Sequence, residues 1–176
     1  MRLVNKKHIG IVVLGMFCTI SSLSQNKGLF SVMIDPKMLI VGPYETSEHG
    51  ELDIIFKIAH HNPHHEIGLY SELFSAIRYY SFGMFYNYKF LIESEKKDFN
   101  RFVFPVGIEL GFIKRKDEVD LLEYSFALNG SIRYFLVKNW AIEVNYRWIK
   151  RSDLTELYDE GFLMKSNMYT GLVYVW

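Results

Sequence analysis

The sequence predicts an all-β chain, an eight-stranded antiparallel up-and-down transmembrane β-barrel. Three observations lead to this fold class. Apolar and polar residues alternate with a period of two through most of the chain, which is typical of strands with two different faces. No segment keeps a 3.6-residue apolar stripe of the kind an amphipathic helix needs. The apolar set also carries large aromatics towards the ends of the segments, as at Trp140 and Trp148.

Seven segments show the alternation clearly. In the first, Ile54, Phe56 and Ile58 share one face while Asp53 and Lys57 share the other. The seven segments cover residues 52–58, 67–73, 81–90, 102–112, 124–134, 140–148 and 167–176. Turn-like clusters separate them, so they read as consecutive strands.

An eighth strand is predicted from the apolar segment 29–41, which makes the count even. Asp35-Pro36 interrupts this segment, and proline lacks the N–H that a strand ladder requires. We therefore expect this strand to be bent or to begin beyond the proline. Pro105 raises the same difficulty within another strand and predicts a β-bulge there.

The choice of inward face decides between a soluble and a membrane barrel. An eight-stranded barrel has an interior just wide enough for side chains, and glycines with a few charged residues fill it well. Bulky apolar residues then face lipid, with aromatics at the two interfaces. Because buried charges must be paired, we expect an ion-pair network in the lumen, with Arg133 beside Glu143 and Arg147 on the next strand. Its predicted members are Lys57, Glu72, Lys89, Glu109, Arg133, Glu143 and Arg147.

Length, charge and cysteine content exclude several classes of protein. The chain has 176 residues, enough for one domain, with 20 basic and 20 acidic side chains. Zero net charge argues against nucleic acid as a partner. The single Cys18 excludes a disulfide scaffold and a multi-thiolate metal site.

The first residues have the pattern of a cleaved signal peptide. Arg2, Lys6 and Lys7 precede the apolar run 9–20, which is too short to span a bilayer as a helix. We expect cleavage after residue 24, giving a signal segment 1–24 and a barrel 25–176. Cys18 then leaves with the signal, and loss of three basic residues gives the remainder a net charge of −3.

The last third of the chain resembles small outer-membrane barrels of the outer-membrane protein A and X type. The segment 166–176 (SNMYTGLVYVW) ends in an aromatic residue, and 131–148 resembles the tight hairpin near the end of such barrels, with Lys138-Asn139 as its turn. The long connection 93–100 and the strand prolines depart from that pattern.

The resemblance implies a location and partners for the chain. It implies termini facing the periplasm, external loops near 42–50, 76–80, 114–121 and 151–163, and a location in the outer membrane of a Gram-negative-type cell envelope. Outer-membrane lipids and the barrel-assembly machinery are the implied partners, the latter reading an assembly signal at Leu172, Tyr174 and Trp176.

Histidines are concentrated in the segment His60-His61-Asn62-Pro63-His64-His65. Neutral imidazoles bind Zn, Cu or Ni, so His60, His61, His64 and His65 are weak candidates for a metal site. Adjacent strand residues point to opposite faces, however, and Asn-Pro marks a turn, so we expect a polar hairpin turn and neither metal nor cofactor.

The expected function is structural or surface-binding and non-enzymatic, in a porin-like architecture with an unidentified surface or periplasmic partner. One alternative is a lipid-modifying acyl hydrolase of the outer membrane, which needs a Ser such as Ser71 or Ser75 beside one of the histidines. A second alternative is a secreted lipocalin-like carrier, with its apolar face turned inward.

Overall fold

The computed structural model describes residues 27–42, 49–75, 79–92, 101–116, 120–153 and 164–176. The predicted signal segment 1–24 lies outside these residues, as do the connection 93–100 and most of the predicted external loops. The elements are β1 (Gly28–Ile34), α1 (Pro36–Val41), β2 (Asp53–His61), β3 (His65–Phe74), β4 (Tyr79–Leu91), β5 (Phe102–Lys116), β6 (Asp120–Phe135), β7 (Trp140–Lys150) and β8 (Met164–Val175).

Within the described residues, the eight strands form one closed antiparallel barrel in sequence order. β1 pairs with β8, and this pairing closes the sheet. At the seam, the amide of Gly28 donates to the carbonyl of Trp176 at 3.1 Å, and the amide of Trp176 donates back at 3.0 Å. The predicted fold class is confirmed. Among the described residues, no helix combines the length and the apolar character needed to cross a membrane.

The eighth strand is present, but the expectation that it is bent at Asp35-Pro36 or begins beyond the proline is wrong, because the strand ends before Pro36 and the segment after it is a helix. β1 stops at Ile34, and Pro36 occupies the first turn of α1, where its missing N–H is not needed. The Asp35 carboxylate caps this helix, accepting from the amides of Lys37 at 2.8 Å and Met38 at 3.1 Å. The cap therefore converts an apolar run into one short helix at the end of the barrel.

The expected bulge at Pro105 is also absent. Pro105 pairs with Lys89 of β4 in an unbroken register. On the other side, Val103 pairs with Arg133 and Val106 with Gly130, so three steps along β5 match three along β6. Pairing with β6 is interrupted at Phe104 and Pro105, and no residue is inserted. The ladder thus accommodates the missing N–H by losing pairing on one side only.

The inward and outward faces of the sheet are those that the alternation predicts. In β7, every second residue from Trp140 to Trp148 is exposed, and those between them are buried. The barrel has two distinguishable ends. The terminal end carries Gly28, Trp176 and the turns 62–64 and 136–139, and the helix end carries α1.

Two apolar clusters lie inside the barrel, one towards each end. Towards the terminal end, Leu29, Phe135 and Val173 belong to one buried cluster. Towards the helix end, Met38 of α1 packs against a second cluster, which contains Phe74, Tyr79, Ile113, Ala127 and Ile149.

Candidate functional site in the barrel lumen

The seven charged residues predicted for the lumen all lie on the inward face. Each sits at an alternate position of its strand, which directs its side chain away from the outer surface. None of them is more than 4% exposed, and they are Lys57, Glu72, Lys89, Glu109, Arg133, Glu143 and Arg147. The structure arranges them in two separate groups.

The first group, the central cluster, consists of Lys57, Glu72, Glu109 and Arg147. Arg147 Nε donates to Glu109 Oε2 at 2.6 Å, and its Nη1 donates to Glu72 Oε2 at 2.6 Å. Lys57 Nζ donates to the other oxygen of Glu109 at 2.7 Å. Two cations face two carboxylates, so the central cluster is electrically neutral.

The second group, the terminal cluster, consists of Glu66, Lys89, Arg133 and Glu143. Arg133 donates to Glu143 Oε2 from Nε at 2.7 Å and to both oxygens of Glu66 from Nη1 and Nη2, at 2.6 and 3.2 Å. Lys89 Nζ lies 3.6 Å from Glu66 Oε1. This cluster also has two cations and two carboxylates. The predicted neighbours Arg133 and Glu143 are together, whereas Arg147 belongs to the other cluster.

Glu66 was missed by the sequence reasoning although a signal for it exists. Glu66 lies two residues before Gly68 and four residues before Tyr70, and these two residues are on the inward face of β3. Its period-two position therefore placed it inside. Glu66 is 1% exposed, and its forked contact with Arg133 is a strong, charge-assisted one.

The histidines are divided between the two faces. The Nδ1 of His61 lies inside, 3.2 Å from Glu66 Oε1 and 2.8 Å from Lys89 Nζ. A neutral imidazole accepts a hydrogen bond from the lysine ammonium in this position. Lys89 Nζ also donates to the carbonyl of Asn62. His61 is thus part of the polar lining at the terminal end.

The other three histidines of the turn, His60, His64 and His65, are exposed. His64 stacks on Tyr88, and His65 Nδ1 lies 2.8 Å from the hydroxyl of Tyr86. In the described part of the chain, no three His, Cys, Asp or Glu side chains come together as a potential metal site.

Asn62 organises this turn. Its side-chain oxygen accepts from the amides of His64 at 3.0 Å and His65 at 2.7 Å. These side chain–backbone bonds reverse the chain between β2 and β3, in the manner of an Asx turn. The turn places His61 inside while His64 and His65 both lie against Tyr88 on the outside, so the four imidazoles do not converge.

A third polar group lies at the helix end and was not predicted. Arg151 donates to Asp153 from Nε at 2.8 Å and from Nη2 at 2.6 Å, while Arg115 Nη1 lies 3.7 Å from the same carboxylate. The Arg151 guanidinium also stacks over the ring of Tyr79, 4.6 Å from its centroid. Burial opposes the charge of Arg151, but the hydrogen bond with Asp153 raises its pKa above the ordinary value.

Two buried tyrosines, Tyr79 and Tyr169, complete the helix-end lining. Tyr79 donates to Glu72 Oε2 at 3.3 Å, and the hydroxyl of Tyr169 lies 3.1 Å from Glu72 Oε1. Both occupy inward positions by the alternation of their strands, which was the available signal. The sequence pattern predicts large aromatics on the outer face, and these two tyrosines are among the exceptions.

Neither serine considered for hydrolysis bonds to a histidine in the described residues. Ser75 lies at the helix end, where it donates to Glu51 Oε2 at 2.7 Å and accepts from the amide of Leu52 at 3.2 Å. The histidine turn is at the opposite end of the barrel. Ser71 lies on the outer face of β3, paired with Phe56 and Phe82.

Comparison with known proteins places the fold. No family model and no curated protein matches the sequence. The solved structure of the Yersinia pestis outer membrane protein Ail in a phospholipid bilayer nanodisc is similar, with a TM-score of 0.51 and 10% identity over 85% of this chain and 98% of that one. The fold is that of a small transmembrane β-barrel.

Two further structures are similar at lower scores. A designed transmembrane β-barrel gives a TM-score of 0.47 at 9% identity, over 85% of this chain and 94% of that one. Neisserial surface protein A gives 0.45 at 6% identity, over 84% and 94%.

Proposed function

We propose that this chain is an integral outer-membrane β-barrel with a structural or surface-binding role and no enzymatic activity. The observation that carries the proposal is the reversed polarity of the barrel, whose charges are inside and whose large apolar side chains are outside. A soluble barrel would place this set in its core, since contiguous apolar surface in water favours association. The exposed apolar residues of the strands include Leu69, Phe82, Met84, Phe90, Ile108, Leu110, Phe112, Leu128, Ile132, Ile142, Val144 and Leu172.

The closed sheet supports a position within the bilayer. In lipid, every backbone N–H and C=O must be paired inside the protein, and a closed barrel does this without a free edge. A tilted crossing takes about 9–11 residues per strand. β2 to β8 have 9 to 16 residues, so they are long enough for this crossing.

Aromatic side chains at the terminal end support an interface position for that rim. Trp140 lies beside Tyr174 with ring centroids 4.9 Å apart, and Tyr174 stacks on Trp176 at 6.0 Å. Tryptophan and tyrosine favour the boundary between headgroups and hydrocarbon. Tyr174 and Trp176, with Leu172, form the proposed signal for the barrel-assembly machinery.

The surface-binding part of the proposal rests on α1. Leu39, Ile40 and Val41 are all exposed at the helix end, which the proposal places outside the cell. Consecutive exposed apolar residues on one short helix are suited to contact with a protein or lipid at the cell surface. The filled lumen leaves the rim and outer surface as the places where such contacts form.

The decisive experiment compares two substitutions that differ only in their place on the barrel. Leu110, near the middle of β5, is 47% exposed, and Leu39 of α1 is 45% exposed. Arginine at the bilayer midplane costs roughly 2–4 kcal/mol on the lipid face of a barrel. We expect Leu110→Arg to lower the free energy of unfolding in phospholipid vesicles by that amount, and Leu39→Arg to change it by less than about 0.5 kcal/mol.

The alternatives predict other results. If the chain is a soluble lipocalin-like carrier with its apolar face turned inward, Leu110→Arg also destabilises it, because the arginine is then buried in the core, and the solubility of the wild type is the deciding observation. The wild-type protein would then also remain in solution without detergent. If it is an acyl hydrolase, the purified wild-type barrel releases acyl chains from labelled outer-membrane lipid, and His65→Ala abolishes the release. Absence of release by the wild type refutes that alternative.

A further inference from the structure

One buried carboxylate of the lumen lacks a cation. Asp53, the first residue of β2, is 1% exposed at the helix end. The central and terminal clusters are each neutral without it, and Asp153 is neutralised by Arg151 and Arg115. In the described part of the chain, no cationic side chain lies within ion-pair distance of Asp53, and its Oδ1 has no hydrogen-bond partner. An unpaired buried charge is unfavourable by several kcal/mol in general, so neutralisation is the expected response.

The contacts of Tyr169 identify how Asp53 is neutralised. The hydroxyl of Tyr169 lies 3.0 Å from Asp53 Oδ2 and 3.1 Å from Glu72 Oε1. A phenol has one hydrogen and can donate to only one of these oxygens. If both carboxyl groups were ionised, the second contact would place two oxygens together without a hydrogen between them.

Glu72 is the partner that keeps its charge. Its Oε2 accepts from Arg147 Nη1 at 2.6 Å, and this guanidinium favours the ionised form of Glu72, whereas Asp53 has no cation at that distance. The missing hydrogen therefore belongs to Asp53. We propose that Asp53 holds a proton in the folded protein at neutral pH, and that Asp53, Tyr169 and Glu72 form a proton-binding site.

The proton assignment satisfies each short contact in this site. Asp53 Oδ2–H donates to Tyr169 Oη, and Tyr169 donates its own hydrogen to Glu72 Oε1. The amide of Asn167 donates to Tyr169 Oη from Nδ2 at 3.2 Å. The hydroxyl then accepts two hydrogen bonds and donates one.

The charges around Asp53 favour the protonated form from several elements. Two acidic groups face Asp53, Asp35 at the start of α1 and Glu72 of β3. The facing cation is Arg147 of β7, which already donates hydrogen bonds to Glu72 and Glu109. Tyr169 and Asn167 of β8 are the remaining facing groups. Ionisation of Asp53 would place a third carboxylate beside this single guanidinium.

Asp53 also lies where α1 joins the barrel. The amide of Asp35, the helix cap, donates to the backbone carbonyl of Asp53 at 3.0 Å. Loss of the proton at high pH would set two carboxylates against each other where α1 joins β2. The site thereby links the attachment of α1 to the pH of the solution at the helix end.

Infrared difference spectroscopy of the folded protein at pH 7 tests the proposal directly. We expect the spectrum of the wild type minus that of Asp53→Asn to show one carboxylic-acid C=O band, which the variant lacks. This band should shift in deuterated buffer. Asp153→Asn is the matched control, because Asp153 is equally buried but bonded to Arg151, and it should remove no such band. Absence of a carboxylic-acid band from the Asp53 difference overturns the proposal.

Proton linkage gives an independent test. An unfolded aspartate ionises with a pKa of about 3.9, so near pH 6 the unfolded chain binds one proton fewer than the folded chain. Raising the pH by one unit between pH 5 and 7 should therefore increase the unfolding equilibrium constant about tenfold more for wild type than for Asp53→Asn. Equal pH dependence in the two proteins contradicts the proposal.

A measurement that needs no Asp53 variant covers the case in which Asp53→Asn fails to assemble. In protein labelled with ¹³C at aspartate carboxyl carbons, one resonance at pH 7 should have the chemical shift of a carboxylic acid, and it should move when Tyr169 is replaced by Phe. If all aspartate carboxyls titrate at low pH, Asp53 is ionised and the proposal is wrong.

Discussion

Replacing Arg147 by methionine tests whether the central cluster is held together by charge pairing. Arg147 is fully buried and is shared by Glu109 and Glu72, on strands that are not adjacent to β7. Glu109 keeps Lys57 at 2.7 Å after the substitution, but Glu72 keeps only the hydroxyls of Tyr79 and Tyr169. One carboxylate is therefore left buried without a cation.

The expected loss follows from that count. Removing one partner of a buried ion pair generally lowers stability by about 3–5 kcal/mol, because the remaining charge is uncompensated. Glu109 adds little to this loss, since its ammonium partner remains. Adding Glu72→Gln to Arg147→Met removes the orphaned charge, and the double variant should regain about half of the loss. The two substitutions are thus coupled, as contacts within one network are.

Urea unfolding in phosphatidylcholine vesicles measures this loss. Trp140 and Trp148 face outward, so their fluorescence reports transfer from lipid to water. Lys37→Met on exposed α1 is the control, with an expected change below about 0.5 kcal/mol. A loss below about 1 kcal/mol for Arg147→Met, or a double variant no more stable than the single one, would refute the reasoning.

Three further predictions concern packing, assembly and the lumen. Gly111→Ala should destabilise the barrel by about 1–3 kcal/mol in the same assay, because its Cβ would collide with the backbone of β4 and with the Tyr70 hydroxyl. Gly130→Ala, where a Cβ meets nothing within 4 Å, should be neutral or slightly stabilising, and equal losses for both glycines would contradict this. Trp176→Ala removes the ring that packs on Gly28 and Tyr174, so less folded protein should reach the outer membrane. The fraction that does assemble should keep its heat-dependent gel mobility. Normal amounts of folded protein in the outer membrane would exclude the assembly role. In planar bilayers the wild type should show no conductance above that of lipid alone, since Arg133 and Arg147 cross a lumen filled with side chains, and discrete current steps would show that it opens.

The architecture was predictable because strand alternation is a local property of sequence. The two faces of β2 can be identified from its own alternation, which places Asp53 and Lys57 on one face and apolar residues on the other. The same alternation contained Glu66, Tyr79 and Tyr169, and each could have been assigned to the lumen. What hid the tyrosines was residue type, since a phenol suits both a membrane interface and a polar interior.

Contacts across the lumen were not predictable in the same way. Register between neighbouring strands brings Arg133 opposite Glu143. The contact of Arg133 with Glu66 spans 67 residues, however, and that of Arg147 with Glu72 spans 75. These pairs depend on the tilt and stagger of the closed barrel, which a single strand's sequence does not encode.

The two errors in the fold have local causes. At Asp35-Pro36, apolar content suggested a strand, but the acidic cap followed by proline is a helix-start pattern and it decided the conformation. At Pro105, a missing donor suggested an inserted residue, whereas the sheet only loses pairing to one neighbour. In both cases the prediction considered only one effect of proline on the backbone, and a different effect decided the local structure.

The reversed polarity of the barrel makes its two faces respond differently to substitution. On the outer face, replacing one apolar side chain by another changes mainly the apolar area that the barrel exposes to its surroundings. In the lumen, Glu66, Glu72, Glu109 and Glu143 are matched in number by Lys57, Lys89, Arg133 and Arg147, so changing one charge leaves another without a partner. Among the described residues, and apart from Asp153 with its arginine partners, two buried acids lie beyond this balance. Asp35 accepts two amide hydrogen bonds at the start of α1, whereas Asp53 has no such donors, and a proton restores its neutrality without adding a side chain to a filled interior.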